Sequence, residues 1–247
     1  MGAGSGPSGG PAAGARRTQS EMGRSTAGAR RRSSWSVAAA QGYGDGEAIP
    51  IEFAEQIVGR ITATVDVPVT VDFEGGYSED DGALAANVSR LLDLGVIGIN
   101  FEDRIVKGSG LYSVDRQARR ISAIRKAAQQ KGVNLFINAR TDVFFENEDA
   151  AQAIGEALDR AKAYAAAGAS GFFVPGLVDE ALIGRISKGA TLPVNVMVMD
   201  GVPSNSRLTE LGVRRISYGP IPYIRAMSTL EQEAKATSRE AYAVQES

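Results

Sequence analysis

The 247-residue sequence contains no cysteine, no histidine and a single tryptophan. Without cysteine, disulfides, thiolate nucleophiles and thiolate metal sites are excluded. Without histidine, the commonest general base and the commonest transition-metal ligand are missing as well. Proton transfer must then use Asp, Glu, Lys, Tyr or water. Any metal site must be built from oxygen, which favours a hard cation such as Mg²⁺, with Mn²⁺ or Ca²⁺ as alternatives. No apolar run reaches the roughly 18 residues of a membrane span. A net charge of −2 gives no basic field for nucleic acid or an anionic bilayer. These absences fit a cytoplasmic protein with neither nucleic-acid nor membrane partners.

Large apolar residues are scarce in one region only. Residues 1–36 are mostly Gly, Ala, Ser and Arg, with Arg16, Arg17, Arg24, Arg30, Arg31 and Arg32 set against the single acid Glu21. Such a segment cannot bury enough surface to offset its ordering entropy, so disorder is expected. Its Arg- and Ser-rich composition fits a transit peptide, but its glycines and its lack of Leu, Ile and Phe oppose the amphipathic helix that role needs. The expected division is a disordered or aberrant leader over 1–36 and one folded domain over 37–247.

From about residue 48 a unit recurs: an amphipathic helix, a glycine stop, then a short apolar strand ending in polar residues. Ile51, Ala54, Ile57, Val58 and Ile61 fall at helical spacing, and Val67–Glu74 reads as the strand that follows. Leu84, Val88, Leu91 and Leu92 lead through Gly95 to Val96–Glu102. Ile121 and Ile124 lead through Gly132 to Leu135–Arg140. Helices near 149–166 and 179–187 precede strands at Gly171–Pro175 and Pro193–Met197, and Gly212 precedes Arg215–Tyr218. Six strands alternating with helices predict a parallel α/β sheet, with glycine as the left-handed cap of each helix. Barrel and doubly wound sheet both remain open, although the repeat length favours a barrel with two of its eight strands not visible.

Ligands of parallel sheets gather where strands end. One strand ends Asp72-Phe73-Glu74 before Gly75-Gly76, the next ends in Glu102-Asp103-Arg104, and the third in Asn138-Ala139-Arg140-Thr141-Asp142. Later strands contribute Asn195 and Ser217. Alternation places Asp72 and Glu74 on one face of an extended strand. Three acids at neighbouring strand ends repel one another unless a cation compensates, and octahedral Mg²⁺ suits that donor set. The plainer reading is solvated acids in ion pairs with Arg104 or Arg140. Arg140 could clamp an anionic substrate in bidentate fashion or simply neutralise the acids.

Val71–Tyr77, Gly98–Arg104, Ile137–Asp142 and Phe173–Gly176, together with Gly42–Glu47, strongly resemble motifs of the isocitrate lyase/phosphoenolpyruvate mutase superfamily, in particular its carboxyvinyl-carboxyphosphonate phosphorylmutase-like members. The resemblance spans about 37–230. It implies an α/β (β/α)8 TIM-type barrel, usually a homo-oligomer. The implied chemistry is Mg²⁺-dependent cleavage or formation of a C–C or P–C bond of a small 2-oxo or phosphono carboxylic acid, through an enolate. By the same resemblance Asp72, Glu74 and Glu102 hold the metal, Asp45 is a catalytic acid beside it, Arg140 is both catalytic and substrate-binding, and Asn195 binds substrate.

Two departures qualify this. The lid that carries the cysteine acid in enzymes cleaving isocitrate or methylisocitrate reads Ile105–Tyr112 here without cysteine, which argues against those two activities. The family's first βα unit has no counterpart before Gly42, so that unit is expected to be lacking or distorted. The change of composition there is what a GC-rich coding region read in the wrong register would give. A catalytically inactive barrel acting as a binding or assembly subunit is the alternative to an enzyme.

Overall fold

The computed structural model describes residues 30–32 and 34–245. In chain order the elements are β1 (Arg30–Arg32), α1 (Ser34–Ala40), α2 (Ile51–Thr64), β2 (Val69–Asp72), α3 (Asp81–Asp93), β3 (Val96–Glu102), α4 (Val114–Gln130) and β4 (Phe136–Arg140). They continue with α5 (Val143–Glu146), α6 (Ala150–Ala166), β5 (Gly171–Phe173), α7 (Glu180–Gly189), β6 (Val194–Met197), α8 (Asn205–Glu210), β7 (Arg215–Ser217) and α9 (Ile221–Gln245).

Local sequence explains most of these boundaries. Asp80, Ser113, Asp149, Asp179 and Ser204 precede α3, α4, α6, α7 and α8, and each side chain accepts a hydrogen bond from a first-turn backbone amide. Gly95, Gly132, Gly168 and Gly212 follow α3, α4, α6 and α8 with positive φ, as the recurring stop signals anticipated. The apolar stripes then meet one face of the sheet. Leu84, Val88 and Leu91 of α3, and Ile121 and Ile124 of α4, are almost wholly buried with Ile99, Phe101, Ile137 and Ala139 of β3 and β4. Burying each such Leu, Ile or Phe contributes about 1.5–3 kcal/mol.

All strand pairs are parallel and in sequential order from β1 to β7. The six strands from β2 onward form a curled half-barrel, with β1 added at its edge. Among the described residues the sheet does not close into the eight-stranded barrel implied by the resemblance, since β7 makes no pairing with β1. Instead α1 reaches across to α9, where Trp35 meets Tyr223 edge-on with ring centroids 6.0 Å apart.

The expected boundary at residue 36 falls inside α1, and Arg30–Arg32 pairs with Val69–Val71. The remainder of the expected leader, residues 1–29 and 33, lies outside the described residues. None of the described helices is long and apolar enough to cross a membrane.

Because Ile99, Phe101, Ile137 and Ala139 face the helices, the alternate residues of β3 and β4 line the concave side of the sheet. Cross-strand register makes that side a set of polar rows. One row runs Asp72, Asn100, Asn138, Gly171. The next runs Glu102, Arg140, Phe173, Asn195, Arg215. Gly171 leaves room in its row, since a Cβ there would lie 2.8 Å from Asn138 Oδ1.

Candidate active site

β2, β3 and β4 end side by side, and the loops that follow them enclose a cavity of ≈ 240 Å³ lined by Asp45, Gly46, Glu74, Glu102, Arg104, Val106 and Arg140. Four of the six residues expected at the site, Asp45, Glu74, Glu102 and Arg140, therefore share one space. Asp45 is exposed on the 41–49 loop, whereas Glu74 and Glu102 are buried.

Glu74 does not stand where strand alternation would put it. β2 stops at Asp72, and Glu74 adopts φ 47 in the turn that follows. The sequence argument for a common strand face thus holds to Asp72 and fails beyond it, because a left-handed residue ends the extended pleat. Asp72 borders a separate cavity of ≈ 50 Å³ against α1 and α2. Asn195 is fully buried in β6, away from the larger cavity, and neither of its side-chain polar atoms is hydrogen-bonded.

Arg140 is held on both sides. Its Nη1 lies 2.9 Å from Glu102 Oε2, and its Nε and Nη2 donate to the two oxygens of Asp142 at 2.6 and 2.8 Å. This fork-to-fork pairing fixes the guanidinium plane. Burial, reinforced by the negative charges of Asp142, Asp72 and Glu74, pushes the Glu102 carboxyl up to about 8, although Arg140 opposes the shift. Burial alone would depress the Arg140 guanidinium, but Glu102 and Asp142 outweigh it and hold Arg140 charged. Of the two roles left open for Arg140, neutralising the acids is the one these contacts display.

Asp142 is itself fixed from behind. Asp103 is fully buried and accepts from the Asp142 amide at 3.0 Å, from Arg160 Nη1 at 3.0 Å and from the Tyr164 hydroxyl at 2.8 Å. Burial raises the Asp103 carboxyl, and Arg160 is the main opposing charge. Neither Asp142 nor Asp103 received a role from the sequence, although both stand inside its motifs. The available signal was Arg160, a cation within the otherwise apolar stripe Ala153, Ile154, Ala157, Ala161 and Tyr164 of α6, all buried. Such a charge requires a partner.

A second cavity of ≈ 240 Å³ adjoins the first, lined by Glu47, Tyr77, Lys107, Tyr112 and Arg120 among others. Arg120 is buried with its guanidinium between the rings of Phe101 and Tyr112, 4.8 and 4.4 Å from their centroids. It donates to the carbonyls of Gly75 and Ser78, which secures the turn after β2.

Among the described residues, no three acids stand together closely enough to hold a metal ion as placed. One Glu74 oxygen accepts the Glu47 amide, Glu102 is paired with Arg140, and Asp72 borders the other cavity. The donor chemistry nevertheless fits a hard cation. The metal-ligating groups of the cavity are oxygens only, and Glu102, raised mainly by burial, also feels the negative charges of Asp142, Asp72 and Glu74.

A family model described as phosphoenolpyruvate phosphomutase matches residues 13–238, beginning ahead of the motifs that carry the resemblance. An uncharacterized protein of Mycobacterium tuberculosis is 31% identical over 205 residues, covering 83% of this chain and 74% of its own. An oxaloacetate decarboxylase of Pseudomonas savastanoi pv. phaseolicola is 31% identical over 186 residues, covering 71% of this chain and 60% of its own. Among solved structures, a candidate phosphonomutase from Burkholderia cenocepacia J2315 superposes with a TM-score of 0.81 at 44% identity, covering 84% of this chain and 83% of its own. A 2,3-dimethylmalate lyase at 21% identity shares the fold, with a TM-score of 0.74. The chain, with its strand-end acids and its clamped arginine, belongs to the phosphoenolpyruvate phosphomutase family.

Proposed function

We propose that the protein is a Mg²⁺-dependent lyase or mutase that cleaves or forms a C–C or P–C bond of a small 2-oxo or phosphono carboxylic acid through an enolate. The observation that carries this reading is the shared cavity. Asp45, Glu74, Glu102 and Arg140 converge there at the ends of three parallel strands, and the acids outnumber the cations available to them. The decarboxylase and phosphonomutase relatives support the same class of chemistry.

Asp72, Glu74 and Glu102 are the residues that would hold the ion, which when bound supplies positive charge opposite the enolate oxygen. Arg140 binds the acid's oxyanion with a guanidinium that needs no reorganisation, because Asp142 already sets its plane. In C–C cleavage the electron pair of the broken bond remains on the 2-oxo acid fragment as its enolate. Asp45, exposed at the cavity rim, is placed to exchange the proton that quenches it.

Isothermal titration with oxalate, an enolate mimic, tests the reading: binding should require Mg²⁺ and should fail in Arg140→Met. Oxalate binding that ignores Mg²⁺, or no binding in its presence, would sink the proposal. Assays on a panel of 2-oxo diacids and phosphonopyruvate then separate lyase from mutase. Oxalate binding without turnover of any panel member would favour the inactive-barrel alternative.

A further inference from the structure

Among the described residues, three that are not glycine have positive φ: Glu47 at 57°, Glu74 at 47° and Tyr77 at 61°. A left-handed conformation is uncommon for side chains of this size and persists where surrounding contacts over-determine it. Here the three residues are joined to one another by two hydrogen bonds. The Glu47 amide donates to Glu74 Oε2 at 2.7 Å, and the Tyr77 amide donates to Glu47 Oε1 at 2.7 Å. Both bonds span about thirty positions in sequence, so they tie the 42–47 loop to the turn after β2.

The surroundings leave the Glu47 carboxylate little freedom. A Cβ on Gly75 would lie 3.1 Å from Glu47 Oε1 and 2.8 Å from Val106 Cγ2, so glycine at 75 is what admits the Glu47 side chain. The loop itself bends at Gly42 and Gly46, each near φ 80°, with Asp45 between them. Flexible glycines on both sides of an exposed acid leave its direction unset unless something beyond them is anchored. Glu47 is the next residue.

We propose that Glu47 is a positioning residue: through its carboxylate and its amide it straps the 42–47 loop to the β2 turn, fixing Asp45 over the cavity and the direction of the Glu74 carboxylate. The importance of Asp45 and Glu74 to the chemistry rests on the function proposed above, but the strap itself does not.

Two variants of the full chain test it by hydrogen exchange read peptide by peptide. Glu47→Gly removes the carboxylate while relieving the left-handed backbone, so the fold is retained. Glu47→Gln keeps an oxygen acceptor for the Tyr77 amide. Amides over 42–49 and 75–78 should exchange about five- to tenfold faster in Glu47→Gly and stay within about twofold of the parent in Glu47→Gln. Oxalate affinity in the presence of Mg²⁺ should fall in the first variant and be restored in the second. Unchanged exchange over 42–49 in Glu47→Gly would overturn the strap. Failure of Glu47→Gln to restore slow exchange would also overturn it, because charge and not the acceptor would then be at work. If exchange behaves as expected while the parent binds no oxalate, the strap stands and the proposed chemistry falls.

Discussion

The two sides of the cavity are built to different standards. On the β3–β4 side, Glu102, Arg140 and Asp142 form a continuous chain of ion pairs. Asp103 backs that chain and is bonded in turn to Arg160 and Tyr164, with every member largely buried except the half-buried Arg140. On the other side Asp45 stands exposed on a glycine-hinged loop that Glu47 ties to the turn after β2. A group that must hold charge is best immobile, while a group that must admit substrate and exchange a proton works from a segment able to yield. The difference teaches that removing a buried charge from the first side should register as lost stability, and damage on the second as lost function.

The largest expected effect comes from breaking the buried side. Asp103→Leu leaves the Arg160 guanidinium without its buried carboxylate and should cost about 3–5 kcal/mol, measured by urea denaturation. A loss under about 1 kcal/mol would mean that the network is not a support. Arg140→Lys sharpens the comparison, because an ammonium cannot reproduce the fork that Asp142 accepts. Oxalate affinity should fall by at least about tenfold while the denaturation midpoint moves little by comparison; equal affinity would show that charge alone suffices.

The third effect is pH-dependent. A carboxyl whose folded-state pKa lies above its unfolded value favours the folded state while protonated. The contribution from Glu102 is therefore present below 4.5 and is lost as pH rises toward about 8. Melting temperature in EDTA should accordingly fall across that window, and Mg²⁺ should flatten the slope. An identical slope with and without Mg²⁺ would place the ion away from Glu102. The smallest effect on stability belongs to Asp45→Asn, expected within about 0.5 kcal/mol of the parent, as for exposed sites generally. Turnover of any substrate found should nevertheless collapse, and retained turnover would remove Asp45 from the chemistry.

The sequence revealed most of the fold because its information is local. Helical spacing of Leu84, Val88 and Leu91, glycine at 95 and 132, and apolar runs ending in acids each depend on neighbours a few residues apart. That Glu74, Glu102 and Arg140 border one cavity was legible for a related reason, since each marks a strand end. What it could not reveal were relations across tens of residues. The reciprocal bonds of Glu47 with Glu74 and Tyr77, and the reach of Arg160 to Asp103, leave no periodic trace. Alternation misdirected the reading at Glu74, because a single left-handed residue cancels the rule and nothing in the composition announces it. The closed barrel was likewise an inference from resemblance, and the edge of the sheet beside β7 depends on chain far away in sequence.

The row Glu102, Arg140, Phe173, Asn195, Arg215 crosses five strands, and it exists only because each strand pairs in one particular alignment with the next. A slip of a single residue at β3, β4 or β7 would turn a charged side chain into the helix layer and an aliphatic one into its place. The same alignment that lets Ile99, Ile137 and Val196 reach their helices also delivers the acids and the arginine to one another. Misfolding and inactivity are thus a single error in this molecule. A sequence that drifts in its strand pairing loses its packed core and the geometry of its cavity at the same step.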